Sequence, residues 1–172
     1  MIIVHHLENS RSQRVLWLLE ELELPYEIRR YERDKKTMLA PPELKRVHPL
    51  RKAPVIEDDG RVVAETGAIV EYLVEKAGGK LGPPVNREAV LRYRHFLHYA
   101  EGSMMPPLFG LLIVNRLGLL GKPAKATVQA MLDAHLDWLE TELAGRDWFA
   151  GDEFTAADIM MSFPLEAASS RR

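Results

Sequence analysis

The sequence predicts an α/β domain over about residues 1–78, followed by an all-helical domain over about residues 86–172. Three observations carry that prediction. The first stretch alternates short strand-like runs with runs of helical period. The segment "GGKLGPPVN" (78–86), with three Gly and two Pro, breaks both patterns, and residues 79–85 read as a linker. Beyond it every apolar pattern is helical.

The elements follow in order. "MIIVHH" is a short apolar strand, in which His5 and His6 face opposite ways. Val15, Leu18, Leu19 and Leu22 recur at helical spacing until Pro25 stops them. "YEIRRY" alternates at period two and reads as a second strand. "APPELKRV" is a short helix or turn entered through prolines. "APVIEDDGRVVAE" is a hairpin whose Asp59-Gly60 supplies the left-handed turn position. "TGAIVEYLVEKAGG" is a helix with Ile69, Leu73 and Ala77 on one face, ended by Gly78-Gly79.

In the second half one helix starts near Asn86 and runs through "REAVLRYRHFLHYAEG", with Pro106-Pro107 kinking or interrupting it. A second carries Val128, Met131, Leu132, His135, Leu136, Leu139 and Leu143 at helical intervals, and His135 reads as a core histidine. A third opens at "FTAAD", where Thr155 and Asp158 have the spacing of a capping box with Asp at its third position. The final "IMMSFPLEAASSRR" stops while the helical pattern still runs. Ile159, Met160, Phe163 and Leu165 need apolar cover, so the expectation is that a C-terminal segment has been removed.

Composition removes several function classes. A net charge of −2 and no basic stripe exclude an electrostatic nucleic-acid binder. The longest apolar run, near Leu111–Val114, is too short to span a bilayer. The N-terminus has no basic leader or cleavage site, which predicts a cytoplasmic protein. Cysteine is absent, so no disulfide, thiolate metal site or protein-borne nucleophilic thiol exists. His95 and His98 share a helix face, but no carboxylate is spaced as a third ligand, and no metal is expected.

The β-α-β unit followed by β-β-α, with a Pro starting the third strand, is the arrangement of a thioredoxin-like domain. Four motifs then stand in order: "SRSQR" at the first helix, "HPLRKAPVIEDDG" before the hairpin, "ETGAI" at the next helix and "FTAADI" in the helical half. On these motifs the whole chain resembles a soluble, serine-dependent glutathione transferase, and "HYAEGSMMPPL" is similar to the bacterial and fungal branch of that family.

The resemblance implies roles that physical chemistry makes sensible. A helix N-terminus stabilises an anion, and a thiolate supplied by bound glutathione would benefit there. Ser10 would donate a hydrogen bond to it, a role that competes with plain capping of the helix. In the family the thiolate-contacting hydroxyl precedes a basic helix residue by four positions, which from Arg14 gives Ser10. Ser12 falls in the first turn, pointing back along the helix or to solvent, and is expected to matter little. Pro54 is expected in cis, leaving the Ala53 backbone to pair with the cysteinyl part of glutathione. Lys52 would sit near the glycine carboxylate. The family's usual Gly before this Lys is Arg51 here, so either base could make the contact. Thr66 and the amides of its helix start suit the γ-glutamyl carboxylate, and Glu65 its ammonium.

In the family the electrophile's site lies between the two domains, which nominates Tyr99, Met104, Met105 and Phe109. The implied reaction conjugates glutathione, as co-substrate, to a small hydrophobic electrophile, with no further cofactor. A non-catalytic binding protein and a glutathione-dependent isomerase or peroxidase share the same site. A homodimer, with no nucleic-acid or membrane partner, is the expected assembly.

Overall fold

The computed structural model describes residues 1–170. The chain divides into two compact units, Met1–Gly82 and Pro83–Arg172. The first runs β1 (Ile2–Leu7), α1 (Ser12–Leu22), β2 (Tyr26–Tyr31), a 3-10 turn (Pro42–Arg46), β3 (Val55–Asp58), β4 (Arg61–Ala64) and α2 (Thr66–Lys76). Its sheet has the order β2-β1-β3-β4, with β2 parallel to β1 and the other pairs antiparallel. This is the thioredoxin-like mixed sheet that the strand and helix order predicted.

Alternation along β1 sorts the core onto two faces. Ile2, Val4 and His6 share the face of α1, since His6 meets Ser12 of that helix. The apolar stripes of the two helices, Val15, Leu18 and Leu19 on α1 and Ile69, Val70 and Leu73 on α2, are fully buried. On the opposite face Leu7 packs with Ala40 and Leu44. His5 shares that face and is fully buried. Its two ring nitrogens lie 2.9 Å from the Tyr31 hydroxyl and 2.9 Å from Glu57 Oε1, so three strands are joined through one imidazole.

The register decides where the loops emerge. His5 lies opposite Val55, and Val55 opposite Ala64. The end of β1, the start of β3 and the end of β4 therefore leave the sheet at the same edge. Residues 8–11, 51–54 and 65–66 all project there.

The second unit contains α3 (Arg87–Tyr99), a π-type turn (Ala100–Met104), α4 (Met105–Arg116), a 3-10 turn (Gly118–Gly121), α5 (Lys122–Leu143) and α6 (Ala156–Ser169). Asn86 caps α3, accepting from the amides of Glu88 at 2.8 Å and Ala89 at 3.4 Å. Pro106 and Pro107 do not break a helix; they open α4, where the first-turn amides have no intrahelical acceptor to lose. On α5 only Leu132 and Leu139 are buried, and Met131 is exposed, so its core stripe is narrower than the periodicity suggested. Thr155 and Asp158 form the predicted capping box. Ile159 and Met160 of α6, expected to lack cover, are fully buried, because α6 packs against both α3 and α4.

Tyr99 joins α3 to α5. Its ring packs against Trp138 at 5.0 Å, and its hydroxyl lies 2.6 Å from Nδ1 of His135. His135 is thus a half-buried partner of a core tyrosine. Burial pushes the Tyr99 phenol up to about 12. The unfolded chain releases such a proton near its ordinary value of about 10. Stability is therefore expected to fall as pH rises through the window from 10 to about 12. Tyr99→Phe should flatten that alkaline loss in denaturant titrations; an unchanged slope would refute the assignment.

Candidate functional site

Three segments meet at the loop-bearing edge of the sheet. The first is the β1–α1 junction, where Asn9 at φ 50° turns the chain sharply. Ser10 is 7% exposed and Ser12 is fully buried. Ser10 Oγ accepts the Ser12 amide at 3.2 Å and lies 2.7 Å from Ser12 Oγ. Ser12 Oγ in turn lies 2.9 Å from Nδ1 of His6 and 3.2 Å from the Leu7 carbonyl. Ser12 therefore points back to Ser10 and not to solvent, and it stands beside the candidate hydroxyl.

The amides at this helix start are not open as the sequence suggested. Gln13 N donates to the Ser10 carbonyl and Arg14 N to that of Arg11, both at 3.3 Å. The tight opening turn closes them. The helix dipole remains, undiminished by any acidic side chain in the first turn.

The second segment is the turn before β3. The Ala53–Pro54 bond is cis, as expected. Among the described residues neither the amide nor the carbonyl of Ala53 makes a hydrogen bond. Arg51 sits at φ 53°, the left-handed conformation that a glycine adopts freely. Its guanidinium donates from Nε to the Ala40 carbonyl at 2.7 Å, with a second donation from a terminal nitrogen to the same oxygen. The two bases thus have different fates: Arg51 braces the neighbouring loop, while Lys52 is exposed, with no hydrogen bond or ion pair among the described residues.

The third segment is the β4–α2 junction. Glu65 is exposed at φ 72°, ψ 124°, a strained conformation for a residue with a side chain. No side chain caps α2, and its first turn holds no acid. The amides of Thr66 and Gly67 have no acceptor among the described residues, so this helix start is the open one.

Neighbouring strands lie about 4.8 Å apart, so β1 to β4 spans roughly 10 Å, close to the length of an extended tripeptide. Along that line stand a hydroxyl, an unpaired peptide edge beside a lysine, and an open helix start beside a carboxylate.

Against known proteins, the family model "Glutathione S-transferase, N-terminal domain" matches residues 10–76, and "Glutathione S-transferase, C-terminal domain" matches residues 122–171. Glutathione S-transferase 3 of Schizosaccharomyces pombe is 39% identical over 98% of this chain and 74% of its own length. The chain belongs to the glutathione S-transferase family. The crystal structure of a family member from Actinobacillus pleuropneumoniae superposes with a TM-score of 0.89 at 34% identity, covering 100% of this chain and 80% of that one. A glutathione transferase family member from Pseudomonas fluorescens, solved with two glutathione bound, gives a TM-score of 0.82 at 26% identity over 96% and 75% of the two chains.

The candidates for the electrophile lie in the helical unit of this family member, and burial separates them. Met104 has no exposed surface, Met105 is 5% exposed and Tyr99 8%, whereas Phe109 is 56% exposed. The first three are buried side chains. No group of His, Asp or Glu among the described residues has the geometry of a metal site. None of the described helices is long and apolar enough to cross a membrane.

Proposed function

We propose that the chain is a glutathione transferase, in which the thiolate of bound glutathione attacks a small hydrophobic electrophile. The observation that carries this is the convergence of Ser10, Ala53 with Lys52, and Glu65 with Thr66 at one sheet edge over the length of a tripeptide. The Ala53 peptide edge would pair with the cysteinyl backbone and hold the thiol toward Ser10. Lys52 would meet the glycine carboxylate, since Arg51 is engaged with Ala40. The open amides of Thr66 and Gly67 would take the γ-glutamyl carboxylate, with Glu65 on its ammonium. No further cofactor is needed, because positioning and thiolate stabilisation supply the catalysis. Phe109 is the electrophile candidate with surface to offer. A cytoplasmic setting, where thiols stay reduced, suits the co-substrate.

The test is retention on immobilised glutathione, followed by the ultraviolet thiolate band of the bound peptide. A panel of aryl halide, hydroperoxide and enone substrates then separates conjugation from peroxidase and isomerase chemistry. Binding without turnover on any of them would leave a non-catalytic glutathione-binding protein. Failure to bind glutathione would end the proposal.

Glu65→Ala is expected to raise the Michaelis constant for glutathione about tenfold, the loss of one charged hydrogen bond, and to leave kcat largely alone. Its partner ammonium is remote from sulfur. A fall in kcat with an unchanged Michaelis constant would instead put Glu65 in the chemistry.

We also propose a homodimer. Ile113 and Leu117 form an exposed apolar pair at i, i+4 running along α4 and off its end, the kind of surface that self-association covers. Sedimentation at micromolar concentration should show the dimer, and monomer alone would exclude it.

A further inference from the structure

The mechanism as drawn leaves the thiol proton without a destination. Serine is too weak a base to keep it. Behind Ser10, however, the hydrogen bonds continue inward to Ser12 and end on an imidazole. We propose that His6 accepts the glutathione thiol proton through Ser12 and Ser10, and that this transfer turns the Ser10 hydroxyl toward sulfur. The inference rests on the transferase reading above.

A count of donors supports it. Each serine hydroxyl has one proton and two lone pairs. When Nδ1 of His6 is bare, Ser12 can donate to it and Ser10 to Ser12, so Ser10 offers the ligand only a lone pair. That is the arrangement that receives an S–H. When Nδ1 carries a proton, His6 donates to Ser12, whose own proton then goes to Ser10 or to the Leu7 carbonyl 3.2 Å away; donation to Ser10 leaves the Ser10 proton pointing out to a thiolate. The chain of oxygens thus has two polarities, and the inward one, with Ser12 donating to His6, exists only while Nδ1 is bare.

The step balances without any other reagent. The S–H bond breaks as its proton joins Ser10 Oγ; the Ser10 proton passes to Ser12 Oγ and the Ser12 proton to His6 Nδ1. Thiolate and imidazolium result, with no electron transferred. The imidazolium then releases its Nε2 proton to water, leaving Nδ1–H in place. That ring nitrogen has no hydrogen bond among the described residues, and the side chain is partly exposed. His5, by contrast, has both nitrogens committed to Tyr31 and Glu57 on the other face.

The surroundings suit an acceptor. Arg30 on β2 stands opposite His6 in register and pairs with Glu8 at 3.7 Å. Burial first, then Arg30, against the opposing effect of Glu8, lowers the His6 pKa from its ordinary value. α1 presents the Ser12 hydroxyl and no acid in its first turn. The imidazole is therefore uncharged near neutral pH in the empty protein; the relay places its one proton on Nε2, leaving Nδ1 bare toward Ser12, and the negative charge of the new thiolate favours protonation there.

In this arrangement Ser10 is the catalytic residue, touching sulfur, and Ser12 and His6 are positioning residues acting through it. The decisive experiment uses the unmodified chain labelled with 15N-histidine, with the His6 resonances assigned by comparison with His6→Gln. On adding glutathione at neutral pH, His6 Nδ1 should gain a proton as the thiolate band appears. S-methylglutathione, which has no thiol proton to give, should leave Nδ1 bare. As a second measurement, Ser12→Ala and His6→Gln should each raise the apparent pKa of the bound thiol by about one unit. The double variant should rise no further, and Ser12→Thr should restore the value. A thiolate band in the unmodified chain with no change at His6 would overturn the relay and leave the transferase standing. Protonation by S-methylglutathione as well would also overturn it. Bound glutathione with no thiolate band would overturn both.

Discussion

Asp158→Ala is expected to remove about 3 kcal/mol from the stability of the helical unit, more than an ordinary cap loss of ~0.5–2 kcal/mol. The reason is the number of groups that depend on one carboxylate. Oδ2 accepts from the Thr155 amide and hydroxyl, and Oδ1 from the Phe149 amide, each at 2.8 Å. Phe149, Thr155 and Asp158 are all buried, so truncation strands two backbone amides and a hydroxyl away from water. Each buried donor left unpaired costs about 1–3 kcal/mol. A loss of this size is a large share of the ~5–15 kcal/mol that holds a typical domain folded. Urea unfolding should show a lower midpoint at unchanged slope. Asp158→Asn keeps an acceptor and should lose less. A decrease below about 1 kcal/mol would mean that Thr155 and Phe149 find other partners.

Ser10→Ala is expected to raise the apparent pKa of the bound thiol by about one to two units, or ~1.4–2.7 kcal/mol. One hydrogen bond to a charged acceptor is worth ~1.5–3 kcal/mol, so its loss accounts for the whole shift. With the α1 amides closed onto their own carbonyls, little else at that helix start can compensate except the dipole. At neutral pH kcat/KM should fall roughly ten- to a hundredfold, and raising the pH should recover much of it as the thiolate fraction returns. Titration of the thiolate band against pH measures this directly. An unchanged thiol pKa would reduce Ser10 to a structural serine.

Much of this was legible in the residues alone. Period-two and helical spacing carried the element order. The alternation rule placed His5 and His6 on opposite faces, as found. The offset from Thr155 to Asp158 was enough to name a capping box.

What escaped the sequence shares a physical cause: it depends on turns, where one dihedral redirects a side chain. Nothing in "ENSRS" announces that Asn9 takes a positive φ and draws Ser12 back beneath His6, so Ser12 looked peripheral. The tight opening of α1, which closes its amides, is equally silent in composition. Pro106 and Pro107 signalled a break, but only the π-type turn before them shows that the break lies upstream. Burial of Met104, Met105 and Tyr99 is set by tertiary packing, and an apolar stripe in the sequence does not distinguish a core side chain from a ligand-lining wall.

Arg51 carries one more consequence. A residue with a side chain has taken a backbone shape that suits glycine, and it holds that shape while its guanidinium is moored to the carbonyl of Ala40. Identity at position 51 and the path of the chain through 40 are therefore physically coupled. A lineage that shortened the loop would strand the arginine in a conformation with nothing to hold it. One that restored glycine would cut the loop adrift from the turn that presents Ala53. Either change alone leaves the other side of the contact without its partner, so the two should be exchanged between homologues together, as a unit, when chimaeras of this domain are built.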